Sequence, residues 1–130
     1  MTIQLNHTIV WCHDKQKSAA FMAQILGRPA PKAFYHFMVV ELDNGVSLDF
    51  SEDGDAVVTQ HYAFLVGEAE FDAIFGRIQA QGLDYWADPM RSRLGELNHN
   101  DGGRGAYFLD PDGHVLEIIT RPYGEPGGGA

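Results

Sequence analysis

Two histidines and two carboxylates stand at matching places in this chain. His7 and His61 lie 54 positions apart, each in a β-prone run. Asp49 and Glu117 each follow a turn glycine by four residues, in Asn44-Gly45-Val46-Ser47-Leu48-Asp49 and Asp112-Gly113-His114-Val115-Leu116-Glu117. Taken singly, a strand histidine or a carboxylate beside a turn reads as structural. All four at equivalent points of a repeat form an N/O ligand set suited to Fe²⁺, Ni²⁺, Zn²⁺, Mn²⁺ or Co²⁺. Two histidines and one carboxylate with open positions also form the facial triad of non-haem iron oxygenases. A carboxylate flanked by Leu, Ile or Phe on a strand is costly to bury unless it is paired or bound to a cation.

The elements that must position these groups come twice. The first strand spans Asn6 to Trp11. Asp14 is placed to cap a helix whose apolar face is Phe21, Met22, Ile25 and Leu26, and Gly27 falls where a left-handed cap belongs. Pro29 and Pro31 forbid its continuation. Strands over Phe34 to Leu42 and Val46 to Phe50 follow, joined by Asp43-Asn44-Gly45, a strong hairpin signal. The pattern restarts with a strand from His61 to Val66, a helix faced by Phe71, Ile74, Phe75 and Ile78, and Gly82 after it. Shorter strands are predicted at Leu83 to Ala87, Ala106 to Leu109 and His114 to Thr120. Alternation puts Leu116 and Ile118 on one face and Glu117 on the other, and it separates His61, Ala63 and Leu65 from Tyr62, Phe64 and Val66.

The runs LNHTIVWCHD and SAAFMAQILG, and above all GGRGAYFLDPDGHVLEII, resemble the vicinal oxygen chelate superfamily. That superfamily includes glyoxalase I, bleomycin-resistance proteins and type I extradiol dioxygenases. The resemblance covers residues 5 to 122. It implies an α+β fold of two βαβββ modules in tandem forming a cupped mixed sheet around a metal. The domain would span residues 1–124, with module one at about 4–52, module two at about 58–122, and a flexible Gly-rich tail at 125–130. The family's ligand positions fall on His7, His61 and Glu117, and the fourth used by glyoxalase I falls on Asp49. The implied chemistry is chelation of vicinal oxygens of a small metabolite, for lyase, isomerase or oxygenase reactions, with Glu117 also able to act as a base. A homodimer is the family's common state. The alternative within the family is a non-catalytic, bleomycin-resistance-type protein that sequesters a drug; the complete His/His/Glu set favours the enzyme.

Substrate contacts are expected from Ile9 and Trp11, which share a face with His7, and from Trp86. The aperiodic stretch Asp88 to Gly103 is expected to border the cavity, with Arg91, Arg93 and Arg104 available to an anionic group. Arg28 is the only arginine before Arg77, too few for strict glyoxalase I on a glutathione adduct. Tyr107, Tyr62 and Tyr35 are read mainly as packing residues, Cys12 as a buried thiol, and His114 as structural. With nine basic and eighteen acidic residues, a formal charge of −9 and no basic run, nucleic acid and anionic membranes are excluded as partners. No signal segment or membrane span is read, so the expected address is the cytoplasm.

Overall fold

The computed structural model describes residues 2–52 and 56–124. The expected tail at 125–130 lies outside the described residues. The chain divides between Val58 and Thr59 into two compact units.

In the first unit, β1 (His7–Cys12) leads into α1 (Lys15–Leu26), then β2 (Lys32–Phe34), β3 (Phe37–Glu41) and β4 (Ser47–Glu52). Asp14 caps α1 by accepting the Lys17 N–H at 3.1 Å. Gly27, at φ 71°, ends it in the left-handed region, a conformation glycine adopts without a Cβ penalty. Ser18, Ala19, Met22, Ala23 and Ile25 are buried on the helix, which packs on β3 and β4. Replacing the cap, Asp14→Ala, should cost about 1 kcal/mol in chemical denaturation.

The sheet order is β1-β4-β3-β2, with β1 and β4 parallel and the remaining pairs antiparallel. The continuous strand predicted over Phe34 to Leu42 is in fact two. The chain reverses at Tyr35 and His36, and Phe34 pairs with Phe37. Tyr35 takes φ 53°, a left-handed conformation that a bulky residue rarely adopts. No Gly or Asn marks this turn, so propensity alone reads it as strand.

The second unit repeats the plan. It contains β5 (His61–Leu65), α2 (Glu68–Ala80), β6 (Tyr85–Trp86), β7 (Gly105–Leu109) and β8 (Val115–Ile119), in the sheet order β5-β8-β7-β6. α2 has no side-chain cap, but Glu68 and Glu70 in its first turn and Arg77 in its last complement the helix dipole. The strand predicted over Leu83 to Ala87 shrinks to Tyr85–Trp86. Beyond it, the Asp88 carboxylate accepts the Ser92 and Arg93 N–H groups and folds the chain back. These hydrogen bonds, that of Ser92 Oγ–H foremost, hold the Asp88 carboxyl below its usual range.

Each unit is thus a βαβββ module with a four-stranded mixed sheet, an α+β architecture. In both, one sheet face supplies the core: Val10, Cys12, Val40, Leu48 and Phe50 in the first; Ala106, Phe108, Leu116 and Ile118 in the second. The opposite faces carry the polar residues. Cys12 is fully buried and its thiol donates to the Ser51 carbonyl at 3.4 Å. No helix among the described residues is long and apolar enough to cross a membrane.

Candidate functional site

Parallel pairing of β5 with β8 sets His61 opposite Val115 and Ala63 opposite Glu117. The histidine and the glutamate therefore meet diagonally on one face. His61 Nε2 lies 3.1 Å from Glu117 Oε1, and His61 Nδ1 lies 2.9 Å from the Val115 carbonyl oxygen. A carbonyl can only accept, so Nδ1 carries the proton and donates it. This leaves the Nε2 lone pair aimed at a carboxylate, which also only accepts. A proton or a metal ion must therefore stand between them. The second fits the chemistry of the pair. Ligating histidines characteristically donate their other ring N–H to a carbonyl or carboxylate, which fixes tautomer and ring orientation.

β7 adds a third group. Tyr107 is the cross-strand neighbour of Glu117 and its ring stacks on His61 at 6.0 Å between centroids. Burial, and then the hydrogen bond to Glu117, push its hydroxyl above the ordinary tyrosine range, so it remains a protonated donor. Glu117 is itself buried, whereas the His61 side chain is half exposed. Tyr107 thus supplies a donor to the buried carboxylate, whose other neighbour is the His61 ring nitrogen.

In the first unit, β1 exposes His7, Ile9 and Trp11 on one face. His7 Nδ1 lies 2.7 Å from Asn6 Oδ1, so it donates there and leaves Nε2 as the acceptor nitrogen, the same tautomer that His61 adopts. Asp49, paired with Ile9 across the strands, accepts the Ser47 hydroxyl at 2.9 Å. Among the described residues no group of three or more His, Cys, Asp or Glu side chains could hold a metal ion. His61 and Glu117 are the two expected ligands that one unit brings together by itself.

A cavity of about 410 Å³ opens beside this pair within the second unit, at the small end of the range for ligand sites. His61, Tyr107, Glu117 and Ile119 of the sheet line it, and Pro89, Asn98, Asn100 and Asp101 of the long loop form its other wall. The loop is stapled at Asn98, whose Nδ2–H donates to the Ala87 carbonyl at 2.8 Å and whose Oδ1 accepts the Asn100 N–H at 3.2 Å. Its backbone exchanges two hydrogen bonds with Gly105, at 3.0 and 2.9 Å. A Cβ at Gly105 would sit 2.7 Å from Asn98 Oδ1, so the close approach requires glycine. Asn98→Ala should therefore cost about 2 kcal/mol and speed hydrogen exchange at the Gly105 amide.

The expected substrate arginines are placed otherwise. Arg104 lines the cavity, but its Nε–H donates to Glu68 at 2.9 Å and its Nη1–H to Asp72 at 2.8 Å. Those two α2 carboxylates, Asp72 first, raise the Arg104 guanidinium and take up its charge. Arg93 pairs with Glu96 at 2.9 Å, and Arg91 lies 5.9 Å over the Trp86 ring. Arg91, Arg93 and Trp86 are not among the residues lining this cavity. Arg121, Tyr123 and Asn98, which do line it, carry no motif a sequence reading would single out. Tyr107 was legible as a strand aromatic, and only the β7–β8 register turns it toward Glu117.

Comparison with known proteins agrees with this architecture. Over 124 residues the chain is 32% identical to the glutathione transferase FosA of Serratia marcescens, covering 91% of this chain and 81% of that protein. Among solved structures it is similar to the oxidase ChaP-H1, with 62% identity, a TM-score of 0.93, and 95% of this chain and 100% of that one covered. It is likewise similar to the oxidase ChaP-H2, with 60% identity, a TM-score of 0.94 and full coverage of both chains. The sequence profile of the Glyoxalase/Bleomycin resistance protein/Dioxygenase superfamily matches residues 4–118, and the chain belongs to that superfamily.

Proposed function

We propose that this protein is a divalent-metal-dependent oxidase or dioxygenase acting on a small metabolite with neighbouring oxygen atoms. The observation that carries the reading is the His61–Glu117 pair, with Nδ1–H anchored on Val115 and the Nε2 lone pair presented to a carboxylate. His61 and Glu117 would hold the ion, and His7, whose tautomer presents the same ring nitrogen, is the further ligand proposed. Asp49 is left outside the ligand set, because its carboxylate is engaged by Ser47 and is one methylene shorter than glutamate. The identity of about three residues in five with proteins named as oxidases supports oxidative chemistry over isomerisation or lyase chemistry.

Bound there, the ion would act as a Lewis acid toward two adjacent substrate oxygens. The chain's own residues do the rest. Tyr107 keeps its proton and donates to Glu117, holding the carboxylate in one orientation. Glu117 is the group within reach to accept a proton released from substrate. Ile119 and Pro89 contribute apolar surface to the cavity lining. A homodimer is part of this reading, as is a small-molecule ligand.

Metal analysis of untagged protein, before and after chelation, tests it. One equivalent of metal per chain is expected, removed by chelator and restored by Fe²⁺, together with oxygen uptake on a catechol-type probe. Failure to take up Fe²⁺, Zn²⁺ or Ni²⁺ would overturn the reading and leave drug sequestration as the function to test.

A further inference from the structure

Arg121 differs from every other arginine at this site. Among the described residues its guanidinium meets no carboxylate, and its Nε is buried without a hydrogen-bond partner. Arg104, on the same cavity, is neutralised twice over by Glu68 and Asp72. Arg121 is also held in place. Its stem crosses the backbone of Gly103, where an added Cβ would come within 3.0 Å of Arg121 Cγ and 2.6 Å of Thr120 Oγ1. Gly103 has an ordinary negative φ of −111°, so the glycine is needed for this close approach and not for backbone freedom. An arginine packed into position, met by no carboxylate among the described residues and with a donor lacking its acceptor there, in a chain of net charge −9, is suited to receive an anion.

We infer that Arg121 receives a carboxylate of the substrate, placing that group in the same cavity as the oxygens that engage the His61–Glu117 pair. This rests on the proposed function for the position of the reacting end, and on the cavity and Arg121 alone for the anionic end. A planar guanidinium recognises a carboxylate with two parallel N–H donors, a geometry lysine does not reproduce. Two carboxylates also line the cavity. Glu117 belongs to the reacting end, and Asp101 is engaged through Oδ1 by the Gly124 N–H at 3.1 Å. They set the selection: one carboxylate seated at Arg121 is favoured, and a polyanion spread through the cavity is repelled. Ile119 and Pro89 add apolar surface to the cavity lining, which suits a compact aromatic or unsaturated acid.

Three probes separate the parts: benzoate carries only the carboxylate, catechol only the neighbouring oxygens, and 3,4-dihydroxybenzoate both. Binding is measured anaerobically by calorimetry on the Zn²⁺-loaded protein, and the Arg121 Nε–H resonance is followed by ¹⁵N NMR. The expected result is that 3,4-dihydroxybenzoate binds about tenfold more tightly than catechol. Arg121→Gln and Arg121→Lys should reduce that advantage to about twofold or less while leaving catechol binding unchanged. Benzoate should shift the Nε–H signal of the parent protein, a readout that needs no variant. An advantage that survives in both variants, or an Nε–H signal unmoved by saturating benzoate, overturns the proposal. If catechol binding is absent or insensitive to His61→Ala while benzoate still shifts Arg121, the metal reading fails and the carboxylate site stands.

Discussion

Glu117→Gln should abolish tight metal binding while leaving the folded protein as stable as the parent, or slightly more so. Complete four-ligand zinc sites contribute about 10–16 kcal/mol, so one ligand accounts for roughly 3–4 kcal/mol, or about 10²- to 10³-fold in affinity. A glutamine oxygen is a poor substitute for a charged ligand, and the expected loss is of that order. The stability side follows from the hydrogen bonds. In the metal-free protein, His61 Nε2 and Glu117 Oε1 are two acceptors 3.1 Å apart unless a proton intervenes. A glutamine in the same volume can present an N–H to Nε2 and keep its oxygen for Tyr107. The metal-free variant should therefore melt within about 2 °C of the parent or above it. Adding Fe²⁺ or Zn²⁺ should raise the parent's melting temperature and leave the variant's unmoved. Metal affinity equal to the parent's in the variant would remove Glu117 from the ligand set. His61→Ala should lose metal binding to a similar degree, without the compensating hydrogen bond.

What could be read ahead of the structure was whatever depends on near neighbours in the chain. Asp14 and Gly27 bracket α1 because capping is a matter of three or four residues. The side of β8 that carries Glu117 follows from alternation with Leu116 and Ile118. The repeat itself located His61 and Glu117. The rest depends on partners far along the chain. Arg104 and Arg121 are indistinguishable by type, yet Arg104 is met by Glu68 and Asp72 of α2 and Arg121 is not. Only the packing of α2 decides which of them meets those carboxylates. Tyr107 meets Glu117 through the register of β7 on β8, and a shift of one residue would have turned it to the opposite face. The turn at Tyr35 and His36 hides for another reason. Its residues favour strand, and the hairpin is imposed by pairing on either side of them.

His114→Ala should destabilise the second unit by about 3 kcal/mol and lower its melting temperature by about 10 °C, although His114 does not line the cavity. The imidazole is fully buried, and its Nδ1 accepts the Gln60 N–H at 2.9 Å. Its own backbone N–H donates to Asp110 Oδ1 at 2.8 Å, and its ring meets Tyr62 edge-on at 5.6 Å. It thus ties the residue before β5 to the turn before β8, the two strands that bring His61 to Glu117. Truncation leaves both a void and an orphaned N–H at Gln60, and the two costs add. His114→Asn separates them. Its amide oxygen reaches near the Nδ1 position and can accept the Gln60 N–H, so it should recover about 1 kcal/mol while the void remains. Metal affinity at moderate temperature should fall only a few-fold in either variant, because the Val115 carbonyl that orients His61 is held by the β5–β8 ladder itself. Equal stability of His114→Ala and the parent would show that the Gln60 contact does not hold the strands. A loss of metal binding as deep as that of Glu117→Gln would place His114 in the metal site rather than beneath it.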